Sequence, residues 1–225
     1  VNHPILDQIH DLRAELAPGD TAPALVAALG AGRAPRTALA QLAAQQHRII
    51  TSDRRSLLLL ATRCADRPLG GWFATMAEGE SAALCTLPAL AAASGPAGLA
   101  PDATHAPDAL TDHPPLPGCQ AYPAYLAWLA LNARPAAAAA ALVANFAAWG
   151  GYCASIARAL RTHYGFPEDA CAFFDFFAQP ATELERQAAD ALGPDPLDGR
   201  TLAAAREHGR LLQAYEHLFW DTLGG

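Results

Sequence analysis

From Pro135 to Ser155 the chain carries no charged residue, and this stretch restricts the fold more than any other. A segment of that length is long enough to span a bilayer. Alanine dominates it, however, with Asn145 and Gly150-Gly151 inside. Alanine gives little drive into lipid, so the expectation is the central buried helix of a soluble bundle, with no membrane partner. The rest of the chain agrees. Valine occurs only at Val1, Val26 and Val143, while alanine and leucine abound. That usage disfavours sheet and favours helix. With 52% hydrophobic and 16% charged residues in 225, there is ample apolar surface for one large core.

Periodicity and breakers divide the chain into helices throughout. A helix is expected from His3 to about Leu16, with Ile5, Ile9, Leu12 and Leu16 on one side. A short one runs over about Thr21–Leu29, and a long one from Arg36 to Cys64 after Pro35. Pro68-Leu69-Gly70-Gly71 reads as a break. Trp72 to about Ala93 follows, with a kink expected at Pro88. Residues 96–118 are rich in Pro, Gly and Asp and read as a long loop across one end of the bundle. Helices over Gln120–Asn132, Pro135–His163, Pro167–Phe177, Pro180–Leu192 and Asp198–Leu223 complete a single all-α domain.

The charge balance of −7 comes without a Lys/Arg run among aromatics, so no nucleic-acid partner is expected. Arg48, Arg54 and Arg55 read as a solvated helix face. The five cysteines are dispersed and form no CxxC pair, which supports neither a zinc site nor a disulfide framework. No basic or apolar leader is visible after Val1, and the expectation is a reduced, cytoplasmic protein.

Glu216 is the foremost candidate for chemistry. It shares a helical stripe with Leu212, Phe219 and Leu223 and lies beside the bulky Phe219-Trp220 pair. A carboxylate on an apolar face must find a partner or hold its proton. The structural alternative is an ion pair with a residue such as Arg210. Glu80 is the second such carboxylate, on a stripe with Trp72, Met76, Ala83 and Leu87. If both point into one cavity, they form an acid/base pair. Asn145, Trp149, Tyr152 and Cys153 fall on one helix face beside Gly150-Gly151, as a pocket wall or as a packed helix contact. Tyr122 and Tyr125, one turn apart, would line the same pocket or its rim. Gln46 and His47 are mid-helix candidates for ligand hydrogen bonds; a satisfied core or surface histidine is the commoner role. A metal centre is disfavoured: the chain has no Glu-x-x-His, only Asp7-x-x-His10 and Asp102-x-x-His105.

The order of helices and several segments resemble the TenA (thiaminase II) family and its relatives, which include pyrroloquinoline-quinone synthase. The resemblance covers most of the chain. His3-Pro4-Ile5-Leu6 is similar to the family's opening His-Pro segment, and Gln45-Gln46-His47 to its Gln-Asp-Tyr stretch. Glu216-His217-Leu218-Phe219-Trp220-Asp221 is similar to the closing Glu-x-x-Phe-Trp and is the most specific match. The resemblance implies a haem-oxygenase-like helical fold, and the pocket acid/base role for Glu216. The chain also departs from the family. Gln46 stands where TenA keeps a substrate-recognising aspartate. Trp149 or Asn145 stands where thiaminase II has its nucleophilic cysteine, and Cys153 lies one turn away, out of register. A TenA subgroup lacks that cysteine and relies on glutamate. A di-iron oxidase branch carries His-x-x-x-Asp-x-x-His on a late core helix; the corresponding Phe173–Gln187 contains no histidine.

The expectation is therefore a haem-oxygenase-like bundle whose pocket takes a small planar heterocycle. Glu216 and Glu80 are its catalytic candidates. Gln46, His47, Tyr122, Asn145, Trp149, Tyr152 and Trp220 are its ligand-binding candidates. Cofactor-independent C–N hydrolysis of an aminopyrimidine is the nearest reaction, and no cofactor is expected. Alternatives are an iron-dependent oxidase of the same fold, disfavoured by the missing histidines, and a non-catalytic ligand- or partner-binding bundle. The resemblance also implies a homo-oligomer, dimer or tetramer.

Overall fold

The structure, a computed structural model, describes residues 3–17, 19, 21–95, 110 and 113–225. Its elements are α1 (Pro4–Leu16), α2 (Ala24–Gly30), α3 (Arg36–Arg63), α4 (Pro68–Ser94) and α5 (Pro117–Asn132), then α6 (Pro135–Ala159), which runs into a π-helical turn (Leu160–Tyr164), and finally α7 (Glu168–Ala178), α8 (Thr182–Leu192) and α9 (Gly199–Gly224). No strand occurs among the described residues. The chain is a single all-α domain, as its valine-poor, alanine-rich composition dictates.

The uncharged stretch forms α6, and Ala137–Ala141 on it are at most 1% exposed. This helix is long and apolar enough to cross a membrane, yet half of its most apolar window is buried within the domain. Its small side chains let α1, α2, α7 and α9 pack against it. The paired glycines differ in use. A Cβ on Gly150 would sit 3.0 Å from the Phe177 carbonyl of α7, so that glycine serves helix packing. Gly151 faces open space.

The expected break at residues 68–71 is instead the first turn of α4. Pro68 sits where the first-turn N–H would have no partner anyway. Gly70 lets the turn close tightly: a Cβ there would lie 2.5 Å from the Cys64 carbonyl. Pro88 lies inside α4, and a second internal proline, Pro123, lies inside α5. The last helix is capped by Asp198, whose Oδ1 accepts from the Thr201 N–H at 2.8 Å. At the end of α5, Arg63 of α3 donates to the carbonyls of Ala130 and Ala133 at 2.8 Å each, meeting acceptors that a helix end leaves open.

The core draws on both halves of the chain. One cluster joins Leu39, Leu42 and Leu87 to Phe173, Phe174 and Trp220. A second joins Ile5, Leu57 and Phe73 to Leu126, Val143 and Leu212. Neither half carries a complete core, so the helices must close around one another, and α3, α4, α5, α6 and α9 enclose the space between these clusters. Most of the long loop expected at 96–118 falls on residues 96–109, 111 and 112, outside the described residues.

Candidate functional site

A cavity of about 800 Å³ lies between the two clusters. The stripe Gln46, Ile49, Ile50, Asp53 and Leu57 of α3 forms one wall at helical spacing. Met76, Gly79 and Glu80 of α4 form the next. Tyr122 and Leu126 of α5, Asn145, Phe146 and Trp149 of α6, Phe176 and Phe177 of α7, and Glu216 and Phe219 of α9 complete it. Arg13 and Glu185 join it from α1 and α8. The size suits a small organic ligand.

Glu216 is 8% exposed and has no ion-pair partner among the described residues. Trp220 Nε1 donates to its Oε1 at 3.3 Å. The alternative partner, Arg210, is exposed, and its charge acts on Glu15 instead. Burial raises the Glu216 carboxyl to about 7, and the Trp220 bond pulls it partly back. Glu80 is raised to about 8 by burial. Asp53, 5% exposed, is driven well above the carboxylate range by burial and then by the charge of Glu80. Its Oδ1 is buried with no hydrogen-bond partner. Tyr122 is held well above its ordinary value by burial, then by Asp53, Glu216 and Glu80. Three carboxylates thus surround one phenol in an acidic, poorly solvated cavity. No basic side chain among the described residues contributes to these shifts.

Aromatic rings close the cavity beside Glu216. Trp149 meets Phe177 edge-on at 5.9 Å, Phe219 at 6.2 Å, and lies 5.5 Å from Trp220 at a 30° tilt. Such a wall accepts a flat ring by stacking or edge contact.

The structure brings Gln46, Glu80, Tyr122, Asn145, Trp149 and Glu216 together around the cavity. Trp220 is fully buried behind Glu216 and reaches the site through its indole N–H. Tyr152 does not line this cavity. It lines a second one of about 510 Å³ and meets Trp220 edge-on at 5.9 Å. His47 lines neither cavity; burial and the neighbouring Arg48 lower its pKa. Its neighbour Gln45 is fully buried and structural, donating to the Pro114 carbonyl at 2.8 Å and accepting from Leu116 N at 3.1 Å. Cys153 is fully buried, and burial pushes its thiol well above the ordinary value, which leaves no thiolate for attack. No group of three or more His, Cys, Asp or Glu among the described residues is placed to hold a metal ion.

Asp53, Arg13 and Glu185 are charged cavity residues outside the set expected from sequence. Asp53 carried a signal: a carboxylate seven residues beyond Gln46, between Ile49-Ile50 and Leu57, on an otherwise apolar stripe. Arg13 carried none, since an arginine late in an amphipathic helix normally faces water.

No protein-family model and no curated protein matches the chain. Solved structures do. A domain of unknown function with a haem-oxygenase-like fold from Shewanella denitrificans matches with a TM-score of 0.74 at 12% identity, covering 97% of this chain and 89% of that one. A TenA homologue from P. horikoshii matches at 0.69 and 13%, covering 97% and 96%. A TenA homologue from Pseudomonas syringae matches at 0.68 and 15%, covering 97% and 90%. The chain therefore has the haem-oxygenase-like, TenA-like fold over nearly its whole length.

Proposed function

We propose that the protein is a cofactor-independent hydrolase that splits a C–N bond in a small planar heterocycle, with an aminopyrimidine as the nearest class. The observation that carries this reading is the convergence of Asp53, Glu80 and Glu216 on one aromatic-walled cavity. Their protonation is matched to acid/base work near neutrality. Glu216, at about 7, is part ionised there and acts as base. Glu80, at about 8, still holds its proton and acts as acid. Asp53, neutral, offers an O–H donor to a ring nitrogen.

The step balances without a co-reactant other than water. Glu216 takes a proton from water as its oxygen bonds to the carbon that bears the leaving nitrogen. The C–N bond breaks, and Glu80 gives its proton to that nitrogen. The aromatic wall of Trp149, Phe177 and Phe219 holds the ring and keeps bulk water out. The fold shared with TenA homologues supports a TenA-like reading of the pocket. We further propose that the protein acts in the cytoplasm as a dimer or tetramer. Trp128 and Leu131 on α5, 48% and 66% exposed, offer apolar surface for a second copy; light scattering in solution tests this.

The decisive assay is turnover of thiamin and an aminopyrimidine panel by metal-stripped protein, alongside Glu216→Gln. Turnover in the wild type that is lost in the variant supports the mechanism. An undiminished rate in the variant overturns it.

A further inference from the structure

The main cavity has a closed end and an open one. Leu57, Leu126 and Phe219 line it from α3, α5 and α9 and are at most 3% exposed. Its exposed lining residues are Thr75 of α4, Ala147 and Gly151 of α6, and most of the stretch from Phe176 to Glu183 that joins α7 to α8. The mouth therefore lies between α4 and α6, with the α7–α8 connection across it. The end of α7 rests on a glycine at each side. A Cβ on Gly150 of α6 would be 3.0 Å from the Phe177 carbonyl, and one on Gly79 of α4 would be 3.7 Å from the tip of the Phe176 ring. Phe176 lines the cavity yet is 41% exposed. The packing of α7 is carried by Phe173 and Phe174, both fully buried. Phe176, half in water, forgoes much of the gain that burial brings.

The connection is also loosely tied. Beyond it, α8 is anchored twice: Trp72 Nε1 donates to the Leu184 carbonyl at 3.0 Å, and Arg13 pairs with Glu185 at 2.6 Å. Before those anchors, the bonds of residues 179–182 stay within the two helices they join. Gln179 Nε2 donates to the Asp175 carbonyl at 3.3 Å, and the Ala181 carbonyl accepts from Glu185 N at 2.8 Å. Pro180 has no N–H to donate. A segment held by so few ties opens at low cost, while the closed end of the cavity is locked in the core. We propose that Phe176 is a size-selecting gate at the mouth of the cavity. Its ring, seated against Gly79, lets small or flat molecules past and turns back bulkier ones, and the α7–α8 connection yields when it opens. The gate concerns access alone and stands whether or not the cavity hydrolyses a C–N bond.

The test reads entry without turnover, through the fluorescence of Trp149 inside the cavity. Trp72 and Trp220 are buried, so Trp128→Phe removes the exposed tryptophan and serves as background. Two neutral quenchers are compared, acrylamide and the bulkier succinimide, each calibrated on free N-acetyltryptophanamide. With Phe176 in place, acrylamide should quench severalfold more strongly than succinimide after calibration. Phe176→Ala, checked for folding by thermal melting, should raise succinimide quenching severalfold and acrylamide quenching less, so that the ratio narrows. Phe176→Leu, the milder change, should fall between and decides the matter if the alanine variant does not fold. Trp149→Phe should abolish the size-dependent signal. An unchanged ratio in the folded Phe176 variants overturns the gate, as does a size-dependent signal that persists in Trp149→Phe.

Discussion

Carboxylates on the outside of this molecule and three of those inside its cavity live under opposite rules. Outside, Glu15 meets Arg206, Glu168 and Asp175 share Arg161, and Glu183 and Asp190 share Arg186. Those arginines hold Glu15, Glu168 and Glu183 below the usual carboxylate value. Inside, Asp53, Glu80 and Glu216 are raised by burial, and Glu216 accepts a hydrogen bond from the Trp220 indole. Arg161, Arg186 and Arg206 lie on the surface, and the arginine of the cavity, Arg13, pairs Glu185 and leaves the other three acids without it. Exposed pairs contribute little to stability, so their loss would be tolerated. Leaving the cavity acids unpaired costs stability and keeps protons available at neutral pH, which is a pattern of function rather than of folding.

The largest expected effect lies at Glu216. Glu216→Gln should lower kcat/KM by roughly 100- to 10,000-fold, the range for loss of a positioned acid/base group. It should also raise the melting temperature at pH 9, because a neutral amide replaces a buried charge. A variant that is less active and also less stable at pH 9 would break the comparison.

Next in size is the pH dependence of stability. The folded protein holds Glu216 at about 7 and Glu80 at about 8, against an ordinary value of 4.5. Raised folded values favour the protonated form. The stabilisation is therefore complete below about pH 4.5 and is lost as pH rises through 7 and 8. Each group costs on the order of 1.4 kcal/mol for every pH unit it spends between its two values. Melting temperature should fall from pH 5 to pH 9, and the Glu80→Gln, Glu216→Gln double variant should flatten that fall.

A smaller effect should sharpen the picture at Trp220. Trp220→Phe removes the indole donor that lowers Glu216, so the Glu216 carboxyl should rise further. The acidic limb of the pH–rate profile should then move to higher pH by up to about one unit, the worth of one hydrogen bond to a charged group. The smallest effect belongs outside. Arg161→Ala should barely change the melting temperature or activity, measured by calorimetry and initial rates.

Much of the fold was legible in the sequence because helix propensity, apolar spacing and the uncharged alanine stretch point the same way. Residues 68–71 were not, because Pro and Gly together read as a break. Pro68 suits a first turn, and the missing Cβ of Gly70 serves contact with the Cys64 carbonyl. The site was legible where a charge interrupts an apolar stripe, as at Glu216 and Glu80. It was blurred where small rotations matter. Trp149 and Tyr152 are three residues apart, which leaves them about 60° from alignment on a helix, and that suffices to place them on different cavities. Gln46 and His47 diverge by a single residue, about 100°. Arg13 was invisible because nothing along α1 tells that α8 will bring Glu185 to it.

The central claim is that burial makes Asp53, Glu80 and Glu216 hold their protons near neutrality, with no cation paired to them among the described residues. Carboxyl-¹³C NMR titration of Asp and Glu side chains, assigned with Glu216→Gln, Glu80→Gln and Asp53→Asn, measures it directly. Midpoints near 7 for Glu216 and near 8 for Glu80, with Asp53 well above the ordinary range, are the predicted result. All three titrating between about 4 and 5, with the exposed acids, would contradict it.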